Sequence, residues 1–367
     1  MKIIAKVGTS SLTDDRGAIN RAMIATLCEQ IANLRLQGHD VVLVSSGAVS
    51  AGVAALGLDH RPSDIQTLQA LAAVGQSRLM EVYNAEFSRH DLVAAQVLLV
   101  PHDFVDRTQY LHARETLETL LDLGCVPVVN ENDAIANDEI RFGDNDHISA
   151  LLSHLLKADL LVLLTDIEGL YTSDPRRDPS AELISEVFVG DPLLSVSAGS
   201  AGTNRGSGGM SSKLSAARIA SWSGIRAVIA QALTPSVLLK VVDDALNSTT
   251  TVGTTFHGAD RQLSARQLWV AFASEVNGRI WVDDGARDAL RRGTVSLLPA
   301  GVRTVEGNFE SGDTVEILDG TNAVVARGLT SMSSSQVDRT AGLQSRQLEE
   351  GVPTIVVHRD SLVLLAH

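Results

Sequence analysis

Short, nearly continuous apolar runs, each closed by small polar residues, dominate the first 250 or so positions of the chain. Lys2–Val7 leads into Gly8-Thr9-Ser10-Ser11, Asp40–Val44 into Ser45-Ser46-Gly47-Ala48, and Leu160–Leu164 into Thr165-Asp166. Val93–Val100, Cys125–Val129 and Ile225–Ala230 have the same character. Segments of helical spacing lie between them. In Asn20–Gln37, for example, Ile24, Leu27, Ile31 and Leu34 share one face and Gly38 ends the run. A strand without polar alternation must be covered on both faces, and helices between such strands supply the cover. The expectation is an α/β sandwich, a mainly parallel sheet between layers of helices. In such sheets ligands gather at the carboxyl ends of the strands. The polar tails fall at those ends.

The pattern changes after about Thr249. Asn247–Thr255 is rich in Ser and Thr and holds a glycine, as a linker does. From Val276 the candidate strands shorten: Arg279–Val282, Val295–Leu298, Val302–Val305, Thr314–Ile317, Ala323–Gly328 and Thr354–His358. Gly, Asp or Asn turns separate most of them and one helix, Gly285–Arg292, interrupts them, as in a small β-barrel. The chain therefore divides into an α/β domain at 1–252, a linker region at 253–275 and a barrel-like domain at 276–367. A total of 367 residues suits two domains.

Charge narrows the partners. There are 30 Lys and Arg against 44 Asp and Glu, a net charge of −14, so no global basic footprint for nucleic acid exists. Residues 276–367 alone hold nine arginines, no lysine and twelve acidic residues, a net −3 that also argues against an RNA surface. Only five of the cations are lysines, namely Lys2, Lys6, Lys157, Lys213 and Lys240. Genomic base composition accounts for that bias, but it makes a lysine in a glycine-rich loop conspicuous. Cys28 and Cys125 form neither a disulfide framework nor a metal pattern, and both read as reduced core residues. The first residues enter a strand directly, without a signal-peptide pattern, and no apolar stretch reaches the ~18 residues of a membrane helix. A cytoplasmic protein with no membrane partner is expected.

The sequence holds no GxxxxGK[ST], no GxGxxG after the first strand, no HExxH, no CxxC and no GxSxG. Four segments carry chemistry instead. Lys6-Val7-Gly8-Thr9-Ser10 sets a lysine beside a glycine turn, which lets backbone approach a phosphate while the lysine supplies charge. An edge-strand lysine exposed to water fits that segment equally well. Gly206-Ser207-Gly208-Gly209-Met210-Ser211-Ser212-Lys213 opens a helix, and its amides with Lys213 make an anion site. A flexible Gly/Ser linker is the competing reading. Asn130-Glu131-Asn132-Asp133 and Gly143-Asp144-Asn145-Asp146 follow one another closely. They suit binding a metal, holding an ammonium group, orienting lysines, or simply turning the chain. Ser45-Ser46-Gly47-Ala48 offers hydroxyl and amide donors to a carboxylate, or an ordinary helix cap. Two lysines, a glycine loop and an acidic cluster around an anion suit phosphoryl transfer, where catalysis is mostly positioning and charge neutralisation.

KVGTSSLT, VVLVSSGAVSAG, AAVGQSRLM, VPVVNENDAI, RFGDNDHISA, LLTDIEGLYTSDPR and GSGGMSSK resemble, in kind and order, segments of the glutamate-phosphorylating members of the amino acid kinase family. The segment from IWVDDGARDALRRGTVSLLPAGV through VEGNFESGDTVEI resembles a PUA domain. The resemblance implies the amino acid kinase αβα fold with a PUA-like C-terminal domain. It implies ATP-dependent phosphorylation of the L-glutamate side-chain carboxylate, the first step of proline biosynthesis, with Mg²⁺ accompanying ATP. Lys6 and Lys213 match the lysines that contact the transferring phosphoryl group, and Asp146 the aspartate that orients them. Ser46, Asp133 and Asn145 match glutamate-binding positions, with Gly47 and Asn130 nearby. Thr165, Asp166, Ser207, Gly208, Gly209, Met210, Ser211 and Ser212, with Lys6 and Lys213, match the nucleotide site. No protein-only metal cage is implied. Feedback inhibition by proline and homo-oligomers are implied as well. The alternatives are a relative acting on a different carboxylate or carbamate, and RNA binding through the C-terminal domain.

Overall fold

A computed structural model of the chain describes residues 1–14, 16–104, 106–135, 145–189, 191, 209–259, 267, 270, 276–292, 295–349 and 351–365. The chain divides into two compact units, Met1–Gln262 and Leu263–His367.

The first unit is built on an eight-stranded sheet. Its strands are β1 (Lys2–Val7), β2 (Asp40–Ser45), β3 (Ala94–Leu99), β4 (Val126–Glu131), β5 (Leu160–Thr165), β6 (Glu186–Val187), β7 (Arg226–Gln231) and β8 (Thr254–Phe256). They lie in the order β3-β4-β2-β1-β5-β7-β8-β6, and every pairing but that of β7 with β8 is parallel. Each of the six apolar runs has become a strand, with ends shifted by no more than two residues. β1 lies at the switch in connectivity, with β2 on one side and β5 on the other. Lys6 stands opposite Val44 and Leu163, near the carboxyl ends of all three strands.

The helices of this unit are α1 (Thr9–Leu12), α2 (Arg21–Leu36), α3 (Ala48–Ala55), α4 (Ile65–Ser88), α5 (Arg107–Asp122), α6 (Asn145–Leu155), α7 (Met210–Trp222) and α8 (Val237–Asn247). α2 starts where Asn20 accepts a hydrogen bond from the Met23 amide, and it stops at Gly38, which has φ +82°. Its apolar face, with Ile24, Leu27, Ile31 and Leu34, joins Leu43, Val128, Val162, Tyr83 and Phe87 in the main core. Cys28 belongs to that core, and burial pushes its thiol pKa far up, as expected of an inert thiol. Cys125 is only half-buried, because it sits in the turn before β4 rather than in the strand.

Two glycines set the distance between α3 and α4. A Cβ on Gly52 would lie 2.0 Å from the Leu71 carbonyl oxygen, and one on Gly75 would lie 1.8 Å from that of Ala48. The two backbones therefore touch, and the turn at Ser46-Gly47 is held against the middle of α4. Gly47 has φ +101° and begins α3, a conformation that side chains disfavour.

The region expected to be a linker, 253–275, starts instead with β8, whose Thr254–Phe256 run antiparallel to β7. Its Ser/Thr-rich sequence disguises a strand whose residues are all buried. Gly253, at φ +71°, turns the chain into it, where a Cβ would meet the Ile229 carbonyl at 2.2 Å.

The second unit carries a five-stranded mixed sheet of β9 (Val276–Val282), β10 (Val302–Gly307), β11 (Thr314–Leu318), β12 (Val324–Thr330) and β13 (Val357–Leu364), in the order β10-β9-β11-β12-β13. Helix Asp284–Arg291, capped by Asp283, replaces the expected Gly285–Arg292 with a one-residue shift. Ile280, Val282, Phe309, Val315, Ile317 and Val357 lie in its core. Two expected strands differ. Val295–Leu298 makes only a single bridge, Leu297 to Val357, because Pro299 follows and starts a 3₁₀ turn. Val356 donates its amide to Leu297, so the strand placed at Thr354–His358 begins only at Val357 and continues to Leu364.

Candidate active site

Three charged side chains meet at the carboxyl end of β1. Lys6 Nζ lies 2.7 Å from Asp146 Oδ1, and Lys213 Nζ lies 3.3 Å from Asp146 Oδ2. Lys6 is the penultimate residue of β1, Asp146 the second residue of α6, and Lys213 stands in the first turn of α7. All three are buried, at 4%, 1% and 6% exposure. The Ser212 hydroxyl donates to Asp146 Oδ2 at 2.7 Å and lies 2.9 Å from the Gly209 carbonyl. Burial alone would push the Asp146 carboxyl pKa up. The two ammonium groups, with hydrogen bonds from Lys6 and Ser212, overcome that and hold it far below the usual carboxylate range. Two ammonium groups converge here on one buried carboxylate, which suits the neighbourhood of a bound anion. Lys213 also lies where the dipole of α7 is positive, which adds to the pull on an anion. The open-linker alternative for this segment fails from Gly209 onward, since Gly209 begins a 13-residue helix. The edge-lysine alternative for Lys6 fails too, because Lys6 is buried on an interior strand.

The residue before Asp146 belongs to a second cluster. Asn145 donates to Asn130 Oδ1 at 2.8 Å and to Ser46 Oγ at 3.0 Å, and its own Oδ1 accepts from the Glu131 amide at 3.1 Å. Asn130 Oδ1 accepts a second bond, from the Glu131 amide at 2.9 Å. Since Ser46 Oγ accepts from Asn145, its own proton is free to point at a carboxylate. Gly47 follows in the left-handed conformation and presents backbone beside that hydroxyl.

Asp133 lies just beyond β4 and is buried at 8% exposure. Among the described residues its Oδ1 has no hydrogen-bond partner. Burial raises its pKa from 3.8 to about 6, against a lowering influence from Arg61. A buried carboxylate oxygen without a donor is costly, and an ammonium group would satisfy it. Of the roles open to the acidic segments, lysine orientation thus falls to Asp146 and an ammonium partner fits Asp133.

Thr165 and Asp166 stand at the end of β5, the next strand over from β1. The Thr165 hydroxyl donates to Asp166 Oδ1 at 3.0 Å, Arg176 bonds Asp166 Oδ2 at 3.4 Å, and Gln231 donates to the Asp166 carbonyl at 3.2 Å. Gly8 lies between β5 and Lys6, since its missing Cβ would sit 3.7 Å from Lys6 Nζ and 3.9 Å from the Leu164 carbonyl. Met210 is half-buried and Ser211 exposed in the first turn of α7. Ser207 and Gly208 lie outside the described residues.

Sequence reasoning missed Gln76, and it named Ser45 only as part of the Ser45-Ser46-Gly47-Ala48 segment. Gln76 accepts from Asn130 Nδ2 at 2.9 Å and donates to Gln96 Oε1 at 3.2 Å. Ser45 Oγ lies 2.9 Å from the Tyr83 hydroxyl. The available signal was a polar residue on an apolar face, because Gln76 shares a helical stripe with Ala72, Leu79 and Tyr83.

The geometry has counterparts in known proteins. The pattern of the amino acid kinase family matches residues 1–231, and that of the PUA domain matches residues 278–352. A glutamate 5-kinase from a Geobacter species is 45% identical over 368 residues, covering 99% of this chain and 97% of the relative. The chain belongs to the glutamate 5-kinases of the amino acid kinase family. Glutamate 5-kinases of Thermoanaerobacter pseudethanolicus and Ralstonia pickettii are 42% and 44% identical, with at least 97% of each relative covered. The paired lysine cluster and the carboxamide cluster lie side by side at the carboxyl ends of the central strands. They are joined through consecutive residues, Asn145 and Asp146.

Proposed function

We infer that the protein transfers the γ-phosphoryl group of ATP to the side-chain carboxylate of L-glutamate, giving L-glutamyl 5-phosphate and ADP, the first step of proline biosynthesis. The observation that carries this reading is the buried pair of lysines on one aspartate, set one residue away from a carboxamide network with a free hydroxyl donor. A glutamate carboxylate oxygen attacks the γ-phosphorus, the bond to the β–γ bridging oxygen breaks, and ADP leaves with that electron pair. The nucleophile is already ionised, so no general base is needed. Both reactants are anionic and repel. Lys6 and Lys213 offset that repulsion and stabilise the charge on the transferring group, while Asp146 keeps the two ammonium groups in place.

Ser46, Gly47 and Asn145 hold the glutamate carboxylates, with Asn130 fixing Asn145. Asp133 takes the α-ammonium group, its unpartnered oxygen being the support for that role. Thr165, Asp166 and the segment Ser207–Lys213 hold the nucleotide, whose Mg²⁺ arrives with it as part of the substrate. Proline as a feedback inhibitor, a homo-oligomeric state and a cytoplasmic location complete the reading. They rest on family membership. No helix among the described residues is long and apolar enough to cross a membrane.

The test is ADP release measured with ATP, Mg²⁺ and a panel of acceptors: L-glutamate, L-aspartate, N-acetyl-L-glutamate and carbamate, with and without proline. Glutamate alone should support turnover, and proline should suppress it. Turnover independent of glutamate, or faster with another acceptor, refutes the assignment.

A further inference from the structure

Gln76 is 92% buried in the middle of α4 and touches neither lysine of the phosphoryl cluster in any hydrogen bond or ion pair described here. We propose that Gln76 is a positioning residue for glutamate recognition, fixing through Asn130 the orientation in which Asn145 presents its amide to Ser46. The inference rests on the glutamate kinase reading above.

The argument is one of donor and acceptor polarity. A carboxamide has two ends, and packing alone does not distinguish them. Asn130 must turn its oxygen toward Asn145 and the Glu131 amide, because both of those are donors. Turned the other way, three N–H groups would face one another inside the protein. Gln76 Oε1 is the acceptor that receives the opposite end of Asn130, at 2.9 Å, and so stabilises the orientation that the Glu131 amide demands. Gln76 is held in turn by donating to Gln96 Oε1. Gln96 is exposed on β3, so water can satisfy either orientation of its amide. The polarity of the chain is therefore set at its buried end, where the Glu131 N–H can only donate, and Gln76 supplies the acceptor that this polarity requires. Gly75, adjacent to Gln76, is the glycine that brings α4 against α3 and places this acceptor within reach of β4.

The test compares Gln76→Leu, Gln76→Glu and Gln96→Leu by steady-state kinetics, with a melting temperature for each. Leucine removes the acceptor and glutamate keeps it, while the exposed Gln96 amide can turn to donate to the new carboxylate. Gln76→Leu should raise the KM for glutamate by about tenfold or more, the loss expected when a buried amide is left unpaired. Its kcat and its KM for ATP should stay within about twofold of the parent, as for lost uniform binding. Gln76→Glu should recover most of the affinity, and Gln96→Leu should change it by less than about threefold. Equal KM values for the leucine and glutamate variants, or a loss confined to kcat, overturn the proposal. If Gln76→Leu does not fold, Gln76→Glu decides alone: near-parental KM supports the proposal and a tenfold rise refutes it. The parent enzyme is run beside the variants, and its failure to use glutamate would refute the kinase reading instead.

Discussion

In the proposed reaction Lys213 and Asp133 act on different stages. Lys213 faces charge that grows as the phosphoryl group moves, so Lys213→Ala should lower kcat by at least about 100-fold while changing the KM for glutamate far less. Rapid-quench measurement of a single turnover checks this, and an unchanged kcat would remove Lys213 from the chemistry. Asp133, in the same proposal, acts on binding. Its raised pKa means that the folded chain holds a proton between pH 3.8 and about 6 that an unfolded chain has already released. Stability of the free protein therefore falls as pH rises through that window, and the cost is fully present above it. Asp133→Asn removes the cost, so its melting temperature at pH 7 should equal or exceed the parent's. The same change should raise the KM for glutamate by about tenfold or more, because the partner of the ammonium group is gone. In the parent, that KM should climb as pH drops below about 6 and Asp133 becomes protonated. A variant with a lower melting temperature and an unaltered KM would show that Asp133 serves the fold and not the ligand.

At the level of the elements, the site depends on two helix placements. The start of α6 delivers Asn145 to the carboxamide cluster and Asp146 to the lysine cluster, so a rotation of α6 would disturb both clusters at once. The crossing of α3 and α4 depends on Gly52 and Gly75, where an added Cβ would collide with a carbonyl oxygen at 2.0 Å and 1.8 Å. Backbone on both sides cannot give way cheaply. Gly75→Ala should cost about 3 kcal/mol or more in urea unfolding, at the upper end of overpacking penalties. Whatever protein remains folded should bind glutamate poorly, because Gln76 and the Ser46-Gly47 turn move with these helices. Parental stability in Gly75→Ala would mean that the close crossing is not maintained in solution.

The whole molecule combines an acidic exterior with a positive interior site. A net charge of −14 does not prevent the handling of ATP and glutamate, because the field that matters is local and shielded from water. The second unit has Arg279 and Arg327 paired with Glu316, which uses arginines within the sheet rather than on a basic face. A titration of the full chain with bulk RNA at low salt should therefore show no binding tighter than the micromolar range of non-specific contacts. Tight binding that weakens steeply with salt would contradict this and assign the second unit a nucleic-acid role.

Periodicity is a local property, and the features that depend on it were legible in the residue order. The six apolar runs, α2 with its glycine stop, and the polar strand ends all appear in the structure close to their expected places. Scarcity of lysine singled out Lys6 and Lys213 without any fold. Features with weak local signals were missed or misplaced. β8 hides in a Ser/Thr-rich stretch because its polar side chains are satisfied internally, Thr254 donating to the Ile184 carbonyl at 2.6 Å. Gln76 hides because a helical glutamine reads as surface until its neighbours are known. Residue order thus established the sandwich, the end of the sheet where ligands gather, and the candidate cations. Strand order and the α3–α4 contact established the rest: which lysines share one aspartate, and which carboxamide faces which. Those relations join residues far apart in the chain, and their energies come from desolvation and hydrogen-bond polarity that exist only once the chain is packed.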